Sequence, residues 1–429
     1  MLSSIKKIFV LRDLRRRILL TIILLIIVRF ITQIPIPGIT RETLQEFFSQ
    51  NQILGLLDIF SGGTLSNFSI GLMGVGPYIT ASIILQLLTF IIPSLDELNK
   101  EGEQGKHKIN QYTRMLTVPL SLIQSFSMIA LLKSQDIIGQ FSSFQLINVL
   151  LISTAVTIIM MWMGEIISEE GIGNGISLII TVGILGGIPE QIGNTTAIVF
   201  GSGEVDTTKL YGLIVFGFIA IATIIFIVLM NEAIRKIPIS YARKIQSRSS
   251  RGLIDTYLPM KINTAGVIPI IFALSVIVFP GLLANFFTKA QSPIIANFAK
   301  MIVKFFDPNS FSYGATYFIL VVAFTFFYTS IVFQPKQVAE NLQKQGGFIP
   351  GIRPGKETEN YIDKIIKRIT FPGSLFLGVI AILPFIIQSF TGITTLVLGG
   401  TSLLILVSVV FETSNQLKAH LITRQYDAY

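Results

Sequence analysis

The sequence predicts an all-α polytopic membrane protein with ten transmembrane helices, and three observations carry that prediction. Of 429 residues, 51% are apolar and only 13% are charged, where a soluble domain carries about 25% charged residues. The mean hydropathy is +0.69. The apolar residues gather in stretches of about 20, the length of helix that crosses a bilayer core. These stretches are continuous and do not alternate, so helices account for them better than barrel strands.

The spans fall at roughly 18–34, 72–92, 113–132, 146–164, 175–193, 210–231, 264–284, 315–334, 371–388 and 393–411. The first follows Lys6, Lys7, Arg12 and Arg15 to Arg17. It resembles a signal peptide, but no small-x-small cleavage site follows, and the segment reads as an uncleaved span. Pro and Gly punctuate many edges, including Pro93, Pro189, Pro335 and Pro372-Gly373, where they bound or break helices.

Orientation follows from the loops. With the N-terminus cytoplasmic, 26 of the 33 Lys and Arg fall on one side, in residues 1–17, 93–112, 165–174, 232–263, 335–370 and the tail 412–429, counting Arg114 at a boundary. Positive charge stays cytoplasmic, so both termini are expected there, and the same bias explains the net charge of +9. Ten spans with both ends on one side divide into two five-helix halves, 18–193 and 194–411. Each half has an odd number of spans, so the two must be inverted relative to each other. No residue-level repeat accompanies this.

Enzyme chemistry finds no foothold. There is no cysteine, His107 and His420 are far apart, and no metal-ligand spacing occurs. The stretch from Gly351 to Glu357 is one spacer short of a phosphate-binding loop, with Glu where a magnesium-binding Ser or Thr belongs. The spans are nearly free of ionisable groups: Arg29 is the clear exception, and Glu165 and Glu412 sit at helix ends. Ion-coupled transporters need intramembrane acids or bases. A secondary transporter of small molecules is therefore the second reading, and a membrane scaffold the third.

Residues 53–69 are too short and polar to span, and the next span opens on Gly71, Gly74, Gly76 and Pro77. A half-helix leading into a broken span and an ordinary outer loop both fit this pattern. The long loops 232–263 and 335–370 are basic, with Arg243, Lys244, Arg248 and Arg251 in one and Arg353 and Lys356 in the other. Topology alone explains their charge but not their length, which suits a docking role.

Five stretches resemble the SecY family of protein-translocating channel subunits. They are Ile34-Pro-Ile-Pro-Gly38; Phe60-Ser-Gly-Gly63 with the run from Pro77 to Leu88; the run from Gly171 to Ser177; Gly266-Val-Ile-Pro-Ile-Ile-Phe272; and the run from Phe348 to Gly355. The resemblance implies a central pore between the inverted halves, without cofactor or enzymatic activity. It implies a pore ring of Val75, Ile79, Ile180, Ile184, Ile271 and Ile405, with valine where the family usually has isoleucine. It implies a short plug helix at about 56–67, including Leu56, Phe60, Ser61, Gly62, Gly63, Leu65 and Asn67. It also implies a lateral gate, mainly between spans 2 and 3 on one side and spans 7 and 8 on the other, with Gln86 and Ser275 near its seam. Implied partners are SecE, SecG, the SecA ATPase, the ribosome, signal sequences, unfolded substrate proteins and lipid, in the bacterial cytoplasmic membrane. An aliphatic ring suits a substrate of any sequence, because it forms no specific hydrogen bonds and dewets when closed.

Overall fold

The computed structural model describes residues 12–36, 64, 69–134, 142–200, 207–241, 256–287, 292–307, 310–391 and 400–426. The first group of helices is α1 (Arg12–Gln33), α2 (Gly76–Ile91), α3 (Pro93–Lys100), α4 (Glu103–Ser134), α5 (Ser143–Glu170) and α6 (Gly175–Phe200). Then come α7 (Thr207–Glu232), β1 (Ile234–Tyr241), β2 (Thr256–Lys261), α8 (Ile268–Phe287), α9 (Pro293–Phe305) and α10 (Phe311–Val332). The chain closes with α11 (Pro335–Lys344), β3 (Gly347–Phe348), α12 (Lys356–Thr391) and α13 (Gly400–Tyr426).

Each expected span has its helix, in order α1, α2, α4, α5, α6, α7, α8, α10, α12 and α13. The segments Ser143–Glu170, Leu210–Glu232, Phe311–Lys344 and Lys356–Ile387 are long and apolar enough to cross a membrane on those grounds alone. The boundaries follow local chemistry. Gly74 takes a φ of +51° that favours glycine, and Pro77 follows in the first turn of α2. At Ile92 the backbone is extended, Pro93 starts α3, and the axis turns by 103°. Ser142 and Gln145 close a capping box on α5. The Ser310 side chain accepts from the Tyr313 N–H to cap α10.

Three expectations change. Pro189 and Pro372 do not bound helices; α6 and α12 run through them. Neighbouring helices at membrane depth tolerate the freed backbone groups. The tail also remains helical to Tyr426. Finally, a three-stranded antiparallel sheet of order β2-β1-β3 joins the helices. It pairs Ile237 with Leu258 and Ser240 with Phe348. Its apolar side, Ile237, Ile239 and Met260, shares a core with Leu342, Ile349, Ile362 and Ile366. The described parts of the two long loops thus share one core.

The helices pack as two sets. In the first, α2 lies on α4, α4 on α5, α5 on α6, and α1 on both α5 and α6. In the second, α10 lies on α8 and α12, and α7 on α12 and α13. Contact between α6 and α13 joins the sets. The second set buries Tyr313, Tyr317, Leu377 and Leu404 in one core. There a Cβ at Gly378 would stand 2.6 Å from the Phe318 ring, so α10 and α12 approach closely only because glycine is present.

Candidate functional site: an aliphatic constriction and its seam

Val75 and Ile79 enter from the start of α2, Ile180 and Ile184 from α6, and Ile405 from α13. All five belong to one apolar cluster with Val28, Val156, Met160 and Val409. Val75 is fully buried, and Ile180, Ile184 and Ile405 nearly so. Two residue sets that are distant in sequence therefore meet at one point where the halves touch. Ile271 is half-buried and stands on α8 beside this cluster rather than inside it. Its neighbour one turn earlier, Val267, packs against the cluster. Every side chain named here is aliphatic or thioether, so these residues themselves offer a passing chain no strong hydrogen-bonding group.

The approach to Val75 is held by backbone pairing. Ile70 N–H donates to Ile34 C=O at 2.9 Å, and Pro35 bridges Ser69. Thr64 is buried; its hydroxyl donates to Leu72 C=O at 3.2 Å and its carbonyl accepts from Ser69 N–H at 3.0 Å. Leu56, Phe60, Ser61, Gly62, Gly63, Leu65 and Asn67 lie outside the described residues.

The expected gate lies between the two sets. Phe90 of α2 and Phe327 of α10 meet between the sets at a tilt of 51°, with ring centroids 5.3 Å apart. Gln86 Nε2 donates to Ser82 Oγ at 3.2 Å, while its buried Oε1 has no partner among the described residues. Ser275 Oγ turns back to Ile271 C=O at 3.0 Å. Gln86 and Ser275 are not bonded to each other. Gln124 Nε2 donates to Thr80 Oγ1 at 3.3 Å, tying α4 to α2 on one side of the seam.

Away from the constriction, Arg353 and Lys356 are exposed. Arg353 sits between Gly351 and Gly355, whose φ values are +83° and +99°. Its carbonyl accepts from Thr358 Oγ1 at 2.8 Å, which fixes the turn on the start of α12. Arg243, Lys244, Arg248 and Arg251 lie outside the described residues.

Sequence reasoning missed two features. Arg114 Nε and Glu165 Oε1 form an ion pair at 2.9 Å, joining α4 to α5. Opposite charges at two neighbouring span ends were the available signal. The run from Gly171 to Gly175 is the second. Thr21 Oγ1 accepts from Ile172 N–H at 3.1 Å, and Gln416 Oε1 accepts from Gly173 N–H at 2.8 Å. Ser168 Oγ accepts from Gly175 N–H at 2.8 Å. This glycine-rich turn fastens α1, α5 and α6 to α13, and so fastens one half to the other.

Comparison with known proteins agrees with this architecture. The family model described as SecY matches residues 69–414. The chain is 41% identical over 434 aligned residues to the protein translocase subunit SecY of Halalkalibacterium halodurans, covering 100% of both chains. It superposes on a solved protein conducting channel with a TM-score of 0.62 at 19% identity, covering 94% of this chain and 91% of that one. It superposes on Sec61 from the canine ribosome-channel complex with a TM-score of 0.60 at 18% identity, covering 94% of this chain and 91% of that one. By the family match and by full-length identity, the chain belongs to the SecY family.

Proposed function

We propose that this chain is the conducting subunit of a protein translocase. It passes unfolded secretory proteins across a membrane and releases apolar helices sideways into lipid. The observation that carries this reading is the aliphatic junction of Val75, Ile79, Ile180, Ile184 and Ile405, formed where the halves meet. Such a ring seals by dewetting and accepts any side chain without selecting one. The second reading, an ion-coupled transporter, needs acids or bases gathered at an ion site, and among the described residues no group of three or more His, Asp and Glu side chains comes together.

The finer assignments belong to the same proposal. Residues 18–193 and 194–411 are the two halves, with residues 56–67 as the plug and both termini in the bacterial cytoplasm. The loops 232–263 and 335–370 dock SecA or the ribosome, and SecE and SecG complete the complex. The relative from Halalkalibacterium halodurans is a translocase subunit, and the Sec61 neighbour comes from a ribosome-channel complex; both support this reading.

Replacing Ile79 and Ile184 together with Gly opens the constriction. The expected result is a higher resting ion current than wild type in planar bilayers, at equal amounts of inserted protein. Equal current would remove the ring assignment. A plug at 56–67 makes a separate prediction, aided by the absence of native cysteine. A cysteine replacing Leu65 should react slowly with an outer-side thiol reagent at rest and quickly while a substrate is trapped. Equal rates in both states rule that plug out.

A further inference from the structure

The channel reading gives no role to α9, whose surface is unlike that of a helix in water. It has 13 residues, about 20 Å of helix, which is too short to cross a bilayer core. Five residues, 288–292, separate it from α8, and five, 306–310, separate it from α10. Tethers of that length keep it within about 20 Å of the joined ends of those two helices. At about 100° per residue its side chains fall into three sectors. Ala296, Ala299 and Val303 share the packing sector, with Ala299 buried and the other two half-buried. α9 lies on α8, and Phe306 just beyond its end packs against the core of the second helix set. Asn297, Lys300 and Lys304 share the second sector and are all exposed. Ile294, Phe298, Met301 and Phe305 share the third. There Ile294, Phe298 and Met301 are 82%, 65% and 71% exposed. Phe287 and Phe311, at the two ends that α9 bridges, are exposed as well. No Asp or Glu occurs in α9. One side packed on the protein, one cationic and one bare and apolar is the arrangement of a helix lying in a membrane interface beside its own bundle.

We propose that α9 is a membrane-interfacial helix whose occupant is the lipid leaflet itself. Ile294, Phe298, Met301 and Phe305 enter the boundary between headgroups and acyl chains. Lys300 and Lys304 extend along the helix side to the headgroup phosphates. Because α9 also packs on α8, which carries Ser275 of the expected gate seam, the leaflet holds the adjoining end of α8 at the membrane surface. The inference needs only the membrane-embedded fold, so a failure of the channel reading leaves it standing.

The absence of native cysteine allows a site-specific test. Met301→Cys and Asn297→Cys are each labelled with a small fluorophore, in the assembled complex with cysteine-free partners. The complex is placed in vesicles of phosphatidylcholine and phosphatidylglycerol. Quenchers are acrylamide in the water, and phosphatidylcholine brominated either near the headgroup or near the chain end. The Met301 label should be quenched most by the bromines near the headgroup, reporting a depth of about 5–10 Å, and little by acrylamide. The Asn297 label should show the reverse preference for acrylamide. Reversing both lysines, Lys300→Glu with Lys304→Glu, should raise acrylamide quenching of the Met301 label about twofold or more. Equal acrylamide quenching at the two labels would place the apolar stripe in water and overturn the proposal. A Met301 label shielded from both quenchers would mean that a protein covers the stripe, which overturns it as well. No change on reversing the lysines removes the headgroup contact.

Discussion

Arg353→Glu should reduce motor-driven translocation by about 30-fold or more, with membrane insertion and complex assembly unchanged. That factor corresponds to about 2 kcal/mol, the lower end of what losing one partner of an interfacial charge pair costs. The side chain is exposed, while its backbone is clamped by Gly351, Gly355 and the Thr358 hydroxyl. A partner carboxylate or phosphate would therefore meet a guanidinium whose base does not move. Behind it, β1, β2 and β3 join the described parts of the two long loops into one unit. The shared core of that unit includes Ile362 and Ile366 of α12. A load applied at Arg353 would reach the helical body without being lost in a floppy loop. Arg353→Lys separates geometry from charge: lysine keeps the charge but lacks the planar fork. Impairment in Arg353→Lys supports bidentate docking. Lys356→Glu, three residues on and equally exposed, is the control for general charge. If it is as harmful as Arg353→Glu, docking is not centred on Arg353.

Gly175→Val should prevent accumulation of the folded complex, or lower its melting temperature sharply. A Cβ at Gly175 would overlap the backbone carbonyl of Gly164 in α5, and a backbone atom cannot step aside as a side-chain tip can. Overpacking of this kind costs about 3 kcal/mol or more. The same turn carries the bonds from Ile172 to Thr21 and from Gly173 to Gln416, so any shift is passed to α1 and α13. Gln416→Ala is the milder companion. It leaves the Gly173 N–H without its partner and should cost about 1–2 kcal/mol. Thermal unfolding in detergent, followed by loss of the complex on size exclusion, measures both. Wild-type stability in Gly175→Val would mean that α5 and α6 do not pack this closely in the membrane.

Hydropathy and charge alone were enough for the helical class and the order of the ten spans. Burying an apolar stretch of about 20 residues in lipid is a local property, read from each stretch by itself. The limits of that reading are equally physical. Pro189 looked like an edge because in water proline ends helices, but inside a bundle α6 continues through it. The β1-β2-β3 sheet escaped because strands of eight, six and two residues gain their stability from partners far along the chain. The ring residues show the same limit most clearly. Val75, Ile184 and Ile405 are indistinguishable in pattern from dozens of lipid-facing aliphatics, and only a resemblance in motif marked them out. Their meeting in one buried cluster depends on how α2, α6 and α13 pack, which no local pattern encodes. Arg29 reads the other way. Its charge stands out in the sequence as an anomaly, but that the guanidinium lies against α6 depends on Gly186, 157 positions later in the chain, whose missing Cβ leaves the space. The sequence by itself determined which segments leave water. The tertiary structure decided which of their faces meet, because close packing is a relation between distant residues and has no signature in either one alone.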